Sequence, residues 1–482
     1  MEATKKTVPR VLKILKKNME ESVLILVLCE FLALVTCTYK VFYRHEVAGS
    51  IDIAKVYVKH ICFGILVGVI AVIALYYFMR ILVNESNNLT PKNVREGGLV
   101  KWLHDRKIYG EQLYITAMVL YTLGGGLADT TFIFPDVASY LVMGATVLLL
   151  ATKAILYDKY YKGEWLLPLL LLFASVCCLI SSTHNLCIIM LFIIEARGVN
   201  FDRIVKAHLI AQLCVIIVAF VACLPVVELI VNFTRNFDWR GAKHAMGFCH
   251  ETHFGGHVFY TTLSWLYIMR EKLNIKHLII AIFSLLYLWL CGKVQLDSLC
   301  IILTIIGFGF TAMINRVDND KISCSFQKFF YGVSMIAAPF FAILNIVLCW
   351  KYDASTISEV LRGRFGTLFS RFELVHHALL EAPITLFGIK YDDKYDYYLD
   401  QSYINSLFLY GIIITVLLIF LFMKSCYRNR MNMFFAVAAI ILALNYFVDE
   451  RMTWLAMNPF ILAAFAEITM NETTKEQDIN AS

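Results

Sequence analysis

The chain has 482 residues, 59% hydrophobic and only 17% charged, with a formal net charge of +6 and a mean hydropathy of +0.68. Soluble domains are less apolar and about a quarter charged, so this composition excludes a water-soluble enzyme or binding module. The positive balance belongs to membrane orientation rather than to nucleic acid.

The N-terminal segment KKTVPRVLKILKK (Lys5–Lys17) is basic and amphipathic, and an apolar span follows from Ser22 with no small-residue cleavage site. No removable leader is expected. Apolar runs close to the roughly 18–20 residues that cross a bilayer recur along the chain, as at Ser22–Tyr39, Ile61–Val83, Val137–Leu156, Phe329–Trp350 and Ser402–Met423. Backbone amides in lipid must be satisfied internally, so the expected fold is all-α, a polytopic membrane bundle. About fourteen spans are predicted, from starts near Ser22, Ile61, Gln112, Val137, Trp165, Asn185, Lys206, His253, His277, Asp297, Phe329, Ser402, Asn432 and Thr453. Asn185–Ile194 is short and Thr453–Ile468 contains Pro459. Either is a re-entrant hairpin or a broken helix, which lipid tolerates only where protein packs around it. Cys177, Cys178, Cys187, Cys214 and Cys223 lie within apolar runs and read as small hydrophobes; no CxxC pair is present.

Lysine and arginine set the orientation. Loops 84–111, 157–164, 195–203, 270–276, 316–327 and 424–431 each carry at least two basic residues, whereas 129–136 and 181–184 carry none. This places both termini in the cytoplasm and residues 351–401 outside. The chain then divides into a bundle over 1–350 with an external loop at 234–253, the extracytoplasmic loop 351–401, and C-terminal spans with a short tail over 402–482.

The loop 351–401 concentrates the polar chemistry. Thr356 and Glu359 have the spacing of a capping box, and a helix from there can run to Glu381, before Pro383 stops it. Arg364 and Arg371, seven residues apart, share one face with Leu368 and Val375, while Arg362 points away. Paired guanidiniums suit a phosphate or pyrophosphate; lipid headgroups or Glu359, Glu373 and Glu381 are the alternative partners. His376, of the His376-His377 pair, is either a general base or a solvated imidazole. Tyr391, Tyr395, Tyr397 and Tyr398, with Tyr403 at the next span, either stack on sugars or form an interfacial aromatic belt. Asp392, Asp393 and Asp396 superficially resemble a metal-binding cluster, but without a partner acidic motif they read as a solvated loop. Asp400 sits where water meets lipid: partly desolvated it is a usable base, otherwise an acid of a helix first turn.

The loop 234–253 adds Arg235, Arg240, Lys243, His244, Cys249, His250 and His253, with His257 beyond. The C-H-x-x-H-x-x-x-H spacing has the form of a zinc set with His253 and His257 on one helical face, but the third ligand is left open and no carboxylate second shell is evident. No metal and no cofactor are expected. Near helix ends, Glu228 and Asp297 stand as charges, and Asp449, Glu450 and Arg451 are close enough to pair locally.

Four ordered stretches carry a resemblance. They are Arg240 with GFCH (Gly247–His250), GRF (Gly363–Phe365) with LFG (Leu386–Gly388), DQSY (Asp400–Tyr403) with Tyr410-Gly411, and Glu450 with NPF (Asn458–Phe460). Together the chain resembles the Wzy-type polysaccharide polymerases of the O-antigen ligase/polymerase superfamily, in their Gram-positive form. The likeness runs from about Glu195 to the last span. Glu251-Thr252 and Gln401 depart from the Pro-Asn and Asn usual at those positions.

The resemblance implies a metal-independent, inverting glycosyltransferase of the bacterial cytoplasmic membrane. Such an enzyme polymerises undecaprenyl-pyrophosphate-linked repeat units into capsule or exopolysaccharide. Its implied partners are those lipid-linked glycans, the bilayer, and flippase and chain-length regulator proteins, with no nucleic acid. On this reading Arg240, Arg364 and Arg371 meet the pyrophosphate, Asp400 is the base with His250 and His376 as alternatives, and Tyr397 and Tyr403 stack on sugars. A lipid-linked oligosaccharide flippase, or a ligase to another acceptor, is the competing expectation.

Overall fold

The computed structural model describes residues 69, 107–131, 136–158, 166–181, 185–222, 245–289, 294–317, 320–352, 359–390 and 399–468. The spans expected from Ser22 and Ile61, Glu228, Arg240, and the stretch 391–398 with Tyr397 lie outside them. Among the described residues the structure is helical, with two isolated bridges and no strand. The helices are α1 (Lys107–Ala128), α2 (Asp136–Leu156), α3 (Leu166–Ser181), α4 (Asn185–Glu195), α5 (Phe201–Ala222), α6 (Glu251–Ile268), α7 (Ile275–Tyr287), α8 (Gln295–Ile314), α9 (Asp320–Trp350), α10 (Glu359–Glu381), α11 (Ser402–Leu409), α12 (Gly411–Arg428) and α13 (Met433–Val448).

Four of these, α5, α8, α9 and α12, are long and apolar enough to cross a membrane. Their surfaces are those of membrane helices. On α5, Ile210 and Ile217 are 54% and 59% exposed while His208 and Gln212 are fully buried. A soluble protein reverses that pattern; here apolar groups face outward and polar ones inward, where partners exist. On α7 only Ala281 is buried, and Ile279, Ile280 and Phe283 look outward.

α4 has no polar face, and every residue from Leu186 to Glu195 is buried. It is a core helix, as an all-round apolar segment must be, which meets the condition set for a short span. α9 packs along α13 and α12, α13 also along α8, and α1 along α2 and α5.

Two expected spans have a different form. Ser402–Met423 is broken at Gly411, whose φ is +83°, so that α11 and α12 are separate helices. Thr453–Ile468 is not an α-helix: it carries the 3-10 turns Arg451–Thr453 and Phe460–Ala464. Pro459 cannot donate a helical hydrogen bond. The segment is nevertheless packed inside the bundle, so side chains take its carbonyls. Gln212 donates to Ala456 O, with His208 Nε2 2.9 Å from the same oxygen. Ser425 donates to Ile461 O at 3.3 Å, and Arg428 to Ala464 O and Ala466 O at 3.3 and 2.7 Å. Irregular backbone is tolerated at membrane depth only with such protein partners.

The helix α10 ends at Glu381, ahead of Pro383, as expected, while the capping residue Thr356 lies outside the described residues. Two glycines fix where its trailing loop returns to the bundle. A Cβ on Gly388 (φ +86°) would lie 2.2 Å from Leu409 O, and one on Gly411 2.4 Å from Leu386 O. The LFG stretch and Tyr410-Gly411 are therefore one joint, closed by Ile389 N donating to Phe408 O at 2.8 Å and Ile412 N to Thr385 O at 3.0 Å.

Candidate active site

One end of the bundle gathers the ends of α1, α6, α8, α9, α11 and α13 beneath α10. At its centre Arg451, only 2% exposed, contacts Asp449 at 2.6 Å and Asp297 at 3.7 Å, and donates to Thr252 O. Room for the guanidinium comes from α6: a Cβ on Gly256 would lie 2.1 Å from Arg451 Nη1, and one on Gly255 2.4 Å from Asp297 Oδ2. The expected local pairing of Asp449 with Arg451 is present, and it extends to a carboxylate on a distant helix.

Asp400 adjoins this cluster. Its Oδ2 lies 2.7 Å from Arg371 Nε, and Arg371 also donates to Val448 O. Burial pushes the Asp400 carboxyl above the usual carboxylate range, and Arg371 beside it offsets only part of that rise. The neighbouring Ser402 donates to Asp449 O and receives from Met452 N at 3.0 Å. Asn405 reaches Glu450 at 3.4 Å. Asp400 is thus placed by α10, α11 and the Asp449–Arg451 turn together.

His250 caps α6, accepting from Thr252 N at 3.3 Å, and lies within electrostatic reach of Asp400 and Arg451. The GFCH stretch that carries it is pinned. Gly247 (φ +87°) leaves no room for a Cβ beside Ala219 O, Thr131 N donates to Gly247 O at 2.8 Å, and Cys249 N donates to Asp129 O at 2.8 Å.

The zinc-like residues diverge: Cys249 Sγ points to Thr130 O at 2.9 Å, while His253 and His257 face Asp129 at 3.6 and 3.4 Å. Among the described residues no group of three or more His, Cys, Asp or Glu is arranged as metal ligands.

The other predicted residues fall as follows. Arg371, expected on a pyrophosphate, is committed to Asp400 and a backbone carbonyl. His376 Nδ1 lies 2.9 Å from Cys349 O, so this imidazole ties α10 to the end of α9. Tyr403 is 2% exposed, with its hydroxyl on Ala443 O at 3.1 Å and its ring against Tyr446; it packs inside the bundle, where its ring is not free to stack on a sugar. Arg362 and Arg364 belong to α10, but their side chains, like Arg240, lie outside the described residues.

Within this cluster Arg371 and Arg451 stand against Asp297, Asp400 and Asp449. The balance is negative. The arrangement orients a carboxylate that can take a proton; it does not by itself hold an anion. Sequence reasoning missed Asp129 and the cradle of Gly255-Gly256. A pair of glycines at the start of a membrane helix was the available signal for the cradle. Compared with protein-family models, curated proteins and solved structures, the chain finds no match.

Proposed function

We propose that this chain is a membrane glycosyltransferase that polymerises undecaprenyl-pyrophosphate-linked oligosaccharides on the outer face of the bacterial cytoplasmic membrane, as a Wzy-type polymerase does. The observation that carries this reading is Asp400, held by Arg371 from the long-loop helix at the mouth of the bundle, with His250 alongside. Asp400 takes the proton of an acceptor sugar hydroxyl. That oxygen attacks the anomeric carbon of the donor, the bond from that carbon to the pyrophosphate oxygen breaks, and the configuration inverts. Arg371 fixes the Asp400 carboxylate, and Arg240 and Arg364 meet the departing pyrophosphate, whose charge the Asp400 cluster cannot neutralise. The reading includes about fourteen spans with both termini cytoplasmic, and no metal in the reaction.

A flippase is favoured by one observation, the buried His208, Gln212 and His257 within the bundle. Those groups are largely engaged with one another and with Ala456 O, so they support a fold-stabilising role better than a translocation path. A ligase would use the same donor chemistry with a different acceptor.

The test is purified protein in liposomes with an undecaprenyl-pyrophosphate-linked repeat unit. A product ladder is expected, and Asp400→Asn and Arg364→Ala should each abolish it while single repeats remain. Passage of intact substrate across the bilayer without a ladder, or normal polymer lengths in both variants, overturns the proposal.

A further inference from the structure

Beside the Asp400 cluster lies a cavity of about 180 Å³ that the proposed reaction does not use, lined by Tyr121, Asp129, Ser139, Asn185, Thr453 and Trp454 among others. Its walls come together because α1 is bare where it meets them. A Cβ on Gly124 would lie 2.7 Å from Val142 Cγ1, and one on Gly125 2.8 Å from Ala456 Cβ. Two side chains in it are held for use. Trp454 meets His253 edge to face, with ring centroids 5.4 Å apart and planes at 88°. Asp129 has one oxygen toward His253 and the other toward His257 at 3.6 and 3.4 Å. Those separations are long for hydrogen bonds, and the buried His253 Nδ1 and His257 Nε2 have no other hydrogen-bond partner. The imidazoles orient the carboxylate, one at each oxygen, and each oxygen keeps a further lone pair for a ligand's donor.

An aromatic face, an oriented carboxylate, three hydroxyls and an amide around one small cavity are complementary to a sugar ring. C–H groups of a pyranose stack on an indole, and its hydroxyls donate to a carboxylate. A phosphate would be repelled by Asp129, and a lipid tail would leave the polar groups unpaired. We infer that this cavity is a carbohydrate subsite taking one pyranose ring, its hydroxyls on Asp129 and its C–H face on Trp454. The inference rests on the proposed transferase and places one sugar of the glycan beside the site: the turn Arg451–Thr453, which carries the central guanidinium, leads directly into Trp454.

The experiment is saturation-transfer NMR on the full chain in lipid nanodiscs. The probes are methyl α-glucopyranoside, methyl β-galactopyranoside and methyl N-acetyl-β-glucosaminide. At least one should receive saturation on its ring C–H protons, falling to background in Trp454→Ala and Asp129→Asn and persisting in Trp454→Phe. Melting temperatures identify any variant that fails to fold, and the remaining pair then decides. No saturation with any of the three, or equal saturation in folded variants, overturns the inference. The ladder assay keeps the two readings apart: polymerisation without sugar binding sinks the subsite alone, and binding without polymerisation sinks the polymerase alone.

Discussion

Arg451 is a charge that the fold keeps out of water only because two carboxylates and a backbone carbonyl surround it. Replacing it by leucine leaves Asp297 and Asp449 buried without their cation, and breaking such a pair from one side costs about 3–5 kcal/mol. Arg451→Leu should therefore lower the melting temperature sharply in detergent. Arg451→Lys should recover little of it, because an ammonium cannot reach three acceptors lying in different directions. Asp129 gives a pH test. Burial pushes its carboxyl up, but the two imidazoles facing it outweigh burial and hold it at about 2. With an unfolded value near 3.9, a lowered acid stabilises the fold above about pH 4, and that contribution is lost as pH falls toward 2. Asp129→Asn should lose about 2 kcal/mol near neutral pH and converge with wild type in acid melts. Asp400 has the opposite sign. As a base it must be ionised, so the polymerisation rate should rise with pH through a value above the usual carboxylate range, while Asp400→Asn stays inactive throughout. A wild-type rate that is flat through the acid range would remove Asp400 from the reaction. The sequence singles out Asp400 by its place just before the apolar run from Ser402. Its partner was not legible there: helical periodicity put Arg371 on the face of Arg364, and nothing local shows that the loop folds back to give it a carboxylate.

At the level of elements, positions of the apolar helices among the described residues could be read from hydropathy, and the end of α10 from Pro383, since these signals are local. What was lost depends on tertiary partners. The segment from Thr453 to Ile468 has a span's composition, but Pro459 and the donors waiting on α5 and α12 make an irregular strand of turns the satisfied state. The joint between Gly388 and Gly411 is of the same kind, since each glycine is ordinary in sequence and obligatory in space. Ala at either position must adopt a left-handed conformation and also overlap backbone. Gly388→Ala and Gly411→Ala should each destabilise by at least about 2 kcal/mol. Because the joint returns the loop to α11, limited proteolysis should cut within 391–398 faster in these variants than in wild type. Gly144 and Gly332 are the controls: both lie in helices with nothing within 4 Å of an added Cβ. There Ala should be neutral or stabilising by about 0.5–1 kcal/mol. Equal effects at all four positions would show that the joint is not what holds the loop.

At the scale of the whole molecule, basic side chains among the described residues gather toward one end of the bundle. The end opposite the Asp400 cluster holds Arg270 paired with Asp202 at 2.7 Å, Arg203 with Glu111 at 2.8 Å, and Lys153 with Asp158 at 2.6 Å. There too Arg316 donates to Leu273 O and Arg428 to the end of the irregular segment. Basic residues near helix ends favour the cytoplasmic side during insertion, and on that ground the proposed orientation has that end in the cytoplasm and the Asp400 cluster outside. The molecule supplies its own reporter. Cys324 is exposed near the start of α9, at the basic end. In intact cells a membrane-impermeant maleimide should leave Cys324 unmodified until the membrane is opened. A cysteine introduced at Asp393, in a chain whose Cys324 is replaced by serine, should react at once. Cys324 stands in the polar first turns of α9, ahead of the apolar run from Phe329, and residue 393 lies in a polar stretch of the sequence, so their reactivity reports sidedness rather than burial in lipid. Reaction of Cys324 in sealed cells, with protection at 393, would turn the bundle over. It would place Asp400 on the side where finished lipid-linked glycans are not presented, and the transferase reading would fall with the orientation.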